Sequence, residues 1–78
     1  MTRNEILEEV TAIFRDVFDD DSIIITDETT AGDIEDWDSL THITLISEIE
    51  STFNYKFGMK DVISMKNVGE MLDLLEKS

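Results

Sequence analysis

A serine and a histidine lie close together near the middle of the chain, at Ser39 and His42. On a helix, residues three apart share a face, so the pair has the spacing of a nucleophile and its base. A working dyad also needs a group that orients the base and an oxyanion hole, and the sequence contains no candidate for either. We therefore expect a protein that is not an enzyme, with His42 on the surface beside Ser39.

Ser39 stands instead where another group could be attached. Asp38 is a favourable N-cap residue, Ser39 falls at the first helical position, and Leu40 begins an apolar pattern. Because Asp38 already fills the cap, the Ser39 hydroxyl is free to face outward. An anion attached there would gain about 0.3–1 kcal/mol from the helix N-terminus. The residues alone leave two interpretations open, an ordinary cap or turn serine and an attachment point.

The chain is strongly acidic, with 19 Asp and Glu residues against 6 Lys and Arg and a formal net charge of −13. Ten of the acidic residues fall within residues 16–38, which contain no Lys or Arg, so negative potential is concentrated before Ser39. This charge disfavours nucleic acid and anionic membrane surfaces, and it favours partners with basic patches. Solubility alone is the plainer explanation of the same acidity.

Residue types exclude several kinds of site. There is no cysteine, which rules out disulfides, thiolate metal sites and cysteine nucleophiles. The acidic clusters do not fit a calcium loop, because Ile24 or Asp38 would occupy the position that requires glycine. We expect no metal site. No apolar run approaches the roughly 18 residues of a membrane span, and the start shows no signal region. A cytoplasmic monomer without membrane insertion is the expectation.

Apolar spacing predicts the elements that position Ser39. A helix is expected over about residues 3–18, opened by a capping box of Thr2 and Glu5. A long acidic loop follows. Within it we expect residues 23–25 to be an extended stretch that anchors the loop on the core, and Trp37 to pack at the edge of the core.

A second helix should run from Ser39 to about Asn54. Its expected apolar face consists of Leu40, Ile43, Ile46, Ile49 and Phe53, with Leu45 beside it. A short helix is expected within residues 59–65, and a final helix should begin at a capping box of Asn67 and Glu70. Gly69 in that final helix suggests close packing. The prediction is one domain, residues 1–78, with three main helices, a short third helix and a long loop between the first two.

These features resemble the acyl carrier protein family. The resemblance covers almost the whole chain, and its motif is Asp38-Ser39-Leu40 at the start of the second helix, after a long acidic loop. It implies a small all-α four-helix bundle of up-down topology, like other acyl carrier proteins. It further implies that a phosphopantetheinyl transferase moves 4′-phosphopantetheine from coenzyme A onto Ser39, with Asp38 and Leu40 as the flanking motif. The thiol of that arm would then carry acyl groups as thioesters between enzymes.

The resemblance also suggests where partners and cargo bind. Partner enzymes with basic docking patches are expected to contact the acidic loop and the helix that Ser39 begins, at Asp36, Trp37, Thr41, His42, Thr44 and Glu48. In this family the interior can open around an acyl chain, and the candidates for lining it are Phe14, Ile46, Phe53, Ile63 and Leu72. Thr41 and Thr44 stand where carriers of bulk fatty-acid synthesis are often acidic, so fatty-acid, polyketide and related dedicated pathways all remain open.

Two other functions fit the same sequence. One is an aminoacyl or peptidyl carrier, which would share the fold and the modification of Ser39 but use a different loading enzyme. The other belongs to a different class, an acidic helical interaction module without any prosthetic group. Failure of every transferase to modify the protein would favour the second.

Overall fold

The computed structural model describes residues 2–77 and contains four α-helices in that range. These are α1 (Arg3–Val17), α2 (Ser39–Phe53), α3 (Met59–Ser64) and α4 (Val68–Lys77). No strand occurs within residues 2–77. The predicted all-α fold, with a short third helix and a long loop before α2, is confirmed. The loop also contains one turn of 3-10 helix, Ala31–Asp33, which was not expected from the sequence.

Helix ends follow their capping residues. At α1 the Glu5 amide donates to the Thr2 hydroxyl at 3.2 Å and the Thr2 amide donates to the Glu5 carboxylate at 2.8 Å, which is the predicted capping box. At α4 the Glu70 amide donates to Asn67 Oδ1 at 3.0 Å. The carboxylate of Glu70 accepts from the Lys66 amide instead of the Asn67 amide, so only half of the second box is formed. α2 ends at Asn54, which adopts the left-handed conformation common after a helix.

The core lies among α1, α2 and α4. Each of these helices buries one apolar face, and the buried residues are Ile6, Val10 and Phe14 of α1, Leu45, Ile46 and Ile49 of α2, and Val68, Met71, Leu72 and Leu75 of α4. α3 buries none of its residues completely. It therefore lies against the bundle as a partly exposed side element.

The expected apolar face of α2 is wrong at its first turns. Leu40 is 77% exposed and Ile43 is 64% exposed, whereas Ile49 is fully buried. Steps of three residues fall short of a full turn, and nine residues span about two and a half turns. Leu40 and Ile49 therefore face opposite sides of the helix. The buried face is set by Leu45, Ile46 and Ile49, and the start of α2 presents apolar side chains outward.

The long loop is fixed to the core and to α4. Ile25 is buried, Ile23 is partly buried against the core and Ile24 is exposed, so the expected extended anchor holds the loop through Ile25 and Ile23. The amides of Val68 and Gly69 donate to the carbonyls of Thr29 and Asp27 at 2.9 and 3.0 Å. These bonds provide acceptors for amides in the first turn of α4, which have no hydrogen-bond partner within the helix.

Arg3 ties the same region to α1. Its guanidinium pairs with Asp73 at 2.8 Å, with Asp27 at 3.0 Å and with Glu76. These hydrogen bonds, that to Glu76 first, raise the pKa of Arg3 above its ordinary value. None of the helices within residues 2–77 is long and apolar enough to cross a membrane.

Candidate functional site

Ser39 is the first residue of α2, and its side chain is exposed. Asp38 is the N-cap, and its Oδ1 accepts from the amides of Leu40 and Thr41 at 3.0 Å each. The hydroxyl of Ser39 makes no hydrogen bond to any residue within 2–77. The predicted division between a capping aspartate and an unengaged serine is therefore present in the structure.

The carboxylate of Asp38 is held in its charged form. The hydrogen bond from the Thr41 backbone N–H lowers the pKa of Asp38, and bonds from the Thr41 hydroxyl and the Leu40 N–H lower it further. Partial desolvation acts in the opposite direction, but the pKa stays below its ordinary value. Thr41 completes a reciprocal cap, because its hydroxyl oxygen accepts from the Asp38 amide at 2.7 Å. The turn before Ser39 is thus closed by its own hydrogen bonds.

Trp37 packs inward immediately before this turn. Its ring meets Phe14 edge to face at 5.2 Å between centroids and lies 6.5 Å from Phe18. Both phenylalanines belong to the buried core, and Trp37 itself is half-buried. The expected anchoring of the loop at the core edge is confirmed. The anchor sits two residues from Ser39, so it fixes where α2 begins.

His42 is half-buried and lines the groove beside Ser39, so it lies near Ser39 as expected but is less exposed than a free surface residue. Its Nδ1 lies 3.0 Å from Trp37 Nε1, and its Nε2 lies 3.2 Å from the carbonyl oxygen of Val62 in α3. Neither contact involves Ser39, so the two residues do not form the dyad that their spacing allowed. No pattern in the sequence indicates the contact with α3, because Val62 takes part through its backbone carbonyl.

A groove of about 510 Å³ runs beside Ser39 between the start of α2 and the segment from α3 to α4. Apolar side chains form most of its wall, chiefly Trp37, Ile43, Val62, Ile63, Met65 and Met71. Polar residues lie along it as well, namely Asp38, Ser39, His42, Lys66 and Asn67. Of the five residues expected to line an opening interior, Ile63 borders this groove. Phe14, Ile46 and Leu72 are instead buried in the core.

The residues expected to dock partners fall into two groups. Asp36, Thr44 and Glu48 are exposed. Trp37, Thr41 and His42 are half-buried, and their polar side-chain atoms already bond within the chain. Leu40 and Ile43, which were expected on the core-facing side of α2, add exposed apolar surface at its start.

Comparisons with known proteins agree with this geometry. The family model for the phosphopantetheine attachment site matches residues 8–75. The structure is similar to the solution NMR structure of the holo acyl carrier protein from Geobacter metallireducens, with 49% sequence identity and a TM-score of 0.86 over 91% of this chain and 82% of that chain. No curated protein sequence matches significantly. The chain belongs to the acyl carrier proteins of the phosphopantetheine-attachment family.

Family membership defines the cofactor and the general mode of action. The prosthetic group is a covalently attached 4′-phosphopantetheine, and carriers of this family are generally non-catalytic. The residues present fit such a group. An exposed hydroxyl without a hydrogen-bond partner stands at a helix N-terminus, where an anionic phosphodiester is favoured, and an apolar groove adjoins it.

Proposed function

We propose that Ser39 is the attachment residue and that residues 1–78 act as one carrier domain for acyl groups in the cytoplasm. The observation that carries this is the exposed Ser39 hydroxyl, which makes no hydrogen bond within residues 2–77 although it follows a fully engaged N-cap. In the modification, Ser39 Oγ bonds to phosphorus, the pyrophosphate bond of coenzyme A breaks, the hydroxyl proton is lost, and 3′,5′-ADP leaves.

The residues around Ser39 have defined parts in this function. Asp38 holds the first turn of α2 in place and presents a charged carboxylate to the transferase, while Leu40 offers it exposed apolar surface. The amides at the start of α2 favour the phosphodiester. When attached, the arm contributes a thiol that bears acyl groups as thioesters. The chain itself then positions and shelters the cargo without bond chemistry of its own, and the protein is not an enzyme.

The groove favours acyl cargo over aminoacyl cargo. Its wall is mostly apolar, and burying a methylene group of an acyl chain there is worth about 0.8 kcal/mol. We place the carrier in fatty-acid, polyketide or related dedicated biosynthesis. Loading assays with acyl-activating and aminoacyl-activating enzymes would separate acyl from aminoacyl or peptidyl cargo.

Docking is proposed on exposed polar residues near Ser39, namely the acidic Asp36 and Glu48 and the neutral Thr44, together with the apolar start of α2. A phosphopantetheinyl transferase and acyl-processing enzymes with basic patches would complement this surface. Such contacts should be brief, because tethering already raises the effective concentration of the cargo.

Intact mass after incubation with coenzyme A, Mg²⁺ and a broad-specificity transferase tests the attachment. We expect one added phosphopantetheine in the parent and none in Ser39→Ala. Ser47→Ala is the matched control, because Ser47 is also an exposed serine of α2. Modification of Ser39→Ala would overturn the assignment of the site. No modification of a folded parent would favour the unmodified interaction module.

A further inference from the structure

Two hydrogen bonds join three separate segments of the chain across the groove. Trp37 Nε1 lies 3.0 Å from His42 Nδ1, and His42 Nε2 lies 3.2 Å from the Val62 carbonyl oxygen. The Trp37 and His42 rings also stack, with centroids 5.8 Å apart and an interplanar angle of 29°. We call these two hydrogen bonds the His42 bridge. It connects the loop before Ser39, the first turns of α2, and α3.

The donors and acceptors of the His42 bridge fix the state of the imidazole. An indole N–H can only donate, so His42 Nδ1 must accept. A backbone carbonyl can only accept, so His42 Nε2 must carry the proton. One neutral tautomer therefore satisfies every polar atom in the bridge. A doubly protonated ring would set its Nδ1–H against the N–H of Trp37.

The segments on either side of α3 are anchored by the buried residues Phe57 and Val68, but the helix itself makes few contacts with the bundle. It is six residues long, and a helix of that length is unstable on its own. Met59 is 80% exposed and Ile63 is 77% exposed, and the best-packed apolar side chain of the helix, Val62, is only half-buried. The Val62 carbonyl is among the last four of the helix, which have no intrahelical partner, and His42 provides its donor.

We propose that His42 is a positioning residue that holds α3 in place as one wall of the groove beside Ser39. Trp37 orients the imidazole by bonding and stacking on one side, so that the Nε2–H points at α3. Val62 and Ile63 of α3 line the groove, so the position of α3 determines the shape of its wall. The consequence for a carried acyl chain rests on the proposed function, whereas the attachment of α3 does not.

The tautomer gives the first test, on the apo protein. In ¹⁵N NMR spectra of the imidazole we expect an unprotonated Nδ1 and a protonated Nε2 at neutral pH. Trp37→Phe keeps an aromatic ring and removes the N–H, so it should reduce this preference. An Nδ1–H tautomer in the parent, or an even mixture of the two tautomers, would overturn the proposal.

Hydrogen exchange tests the attachment of α3. Removing one hydrogen bond of ordinary net strength corresponds to a factor of about 2 to 12 in opening. In His42→Leu we expect the α3 amides, including that of Val62, to exchange faster by such a factor, while the amides of Val10 and Leu72 keep their rates. His42→Gln retains a donor and an acceptor and should give smaller increases. Unchanged exchange in α3, or an equal increase in all helices, would contradict a local role.

The effect on cargo is measured on the holo protein carrying an octanoyl group. If α3 is held less firmly, the groove shelters the chain less, and cleavage of the thioester by hydroxylamine should accelerate in His42→Leu relative to the parent. Equal cleavage rates would remove the link to cargo. If the parent cannot be modified at all, the proposed function fails, and the two measurements on apo protein still decide the role of His42.

Discussion

Asp38 and Ser39 are neighbours, but only the side chain of Asp38 is hydrogen-bonded within residues 2–77. Asp38 accepts two backbone amides and is held ionised by them, while Ser39 has an unengaged hydroxyl. A serine that capped α2 itself would have its oxygen occupied and its rotamer fixed. Giving the cap to aspartate leaves the next side chain free for a transferase and adds a negative charge at the point where a basic partner would dock.

The Asp38 N-cap should make the stability of the folded protein depend on pH. The pKa of Asp38 is lowered in the folded state, chiefly by the Thr41 amide. Its contribution is therefore present above the unfolded-state pKa of about 3.9 and is lost as the pH falls through the lower folded-state value. We expect urea midpoints of the parent to exceed those of Asp38→Ala at pH 7 and to approach them at acid pH.

The Asp38→Asn variant distinguishes the contribution of the N-cap hydrogen bonds from that of the negative charge. Asp38→Asn keeps a favourable N-cap side chain, so its urea midpoint at pH 7 should lie nearer the parent than that of Asp38→Ala. Its stability should also lack the part of the acid dependence that comes from this carboxylate. An Asp38→Asn protein as unstable as Asp38→Ala would show that charge, not hydrogen bonding, stabilises the start of α2.

At the scale of elements, the loop and α4 are built for close approach. A Cβ added at Gly69 would lie 2.9 Å from the Asp27 carbonyl oxygen, a backbone atom that is held by the Gly69 amide itself. This accounts for a glycine in the first turn of a helix, where its conformational freedom is otherwise a cost. The close packing predicted from the sequence is thereby confirmed.

Gly69→Ala should destabilise the protein by about 1–3 kcal/mol, the usual range for overpacking a tight site. Gly32→Ala is the control, since a Cβ there would meet the Thr30 hydroxyl oxygen at an ordinary 3.6 Å. Urea denaturation of both variants provides the comparison. Equal stabilities of the two variants would mean that the loop can shift at Asp27 to accept the added Cβ with no loss in the free energy of unfolding.

The orientation of α2, which buries Ile49 and exposes Leu40, gives a second prediction about the elements. Ile49→Ala should cost about 2–5 kcal/mol because Ile49 is fully buried. Leu40→Ala should change stability by no more than about 0.5 kcal/mol, since Leu40 is 77% exposed. The same Leu40→Ala substitution should slow modification of Ser39 if Leu40 contacts the transferase. A large stability loss in Leu40→Ala would place this residue in the core after all.

The whole molecule has an uneven distribution of charge. Half of its 6 basic residues, Lys56, Lys60 and Lys66, lie between residues 54 and 67, in and around α3, whereas the loop before Ser39 has none. A partner with a basic patch would therefore be attracted to the acidic loop more than to the segment around α3. Long-range attraction of this kind acts on the rate of association and is screened by salt.

If partners dock through the charges near Ser39, neutralising an acidic residue there should slow modification more than neutralising one elsewhere. Glu48→Gln should lower kcat/KM for modification by a transferase by about 1.5- to 5-fold, the range of one exposed charge pair. Glu9→Gln removes the same charge from an exposed site on α1 and should have little effect. Both differences should shrink as the salt concentration rises. Equal effects of the two variants would indicate attraction by net charge without a specific surface.

Local interactions made much of this protein predictable. Apolar spacing located α1, α2 and α4, because an amphipathic helix repeats every 3.6 residues whatever it packs against. The Thr2 cap, the Asp38 cap and the close approach at Gly69 each depend on a few neighbouring atoms or on one missing Cβ. The sequence likewise singled out Ser39, because its flanking residues define its place at the start of a helix.

Long-range contacts decided the rest. Apolar spacing alone could not show which apolar residues of α2 meet the core. Leu40 and Ile43 proved to be exposed, because the residues of α2 that join the core cluster are Leu45, Ile46 and Ile49 in its later turns. The bonds of His42 to Trp37 and to a backbone carbonyl of α3 also left no pattern in the residue order. Backbone carbonyls are alike in every residue, so only the packing of α3 against α2 determines which one the imidazole meets. Sequence by itself therefore determined the helices, their caps and the exposed serine, and the tertiary structure decided the groove beside it.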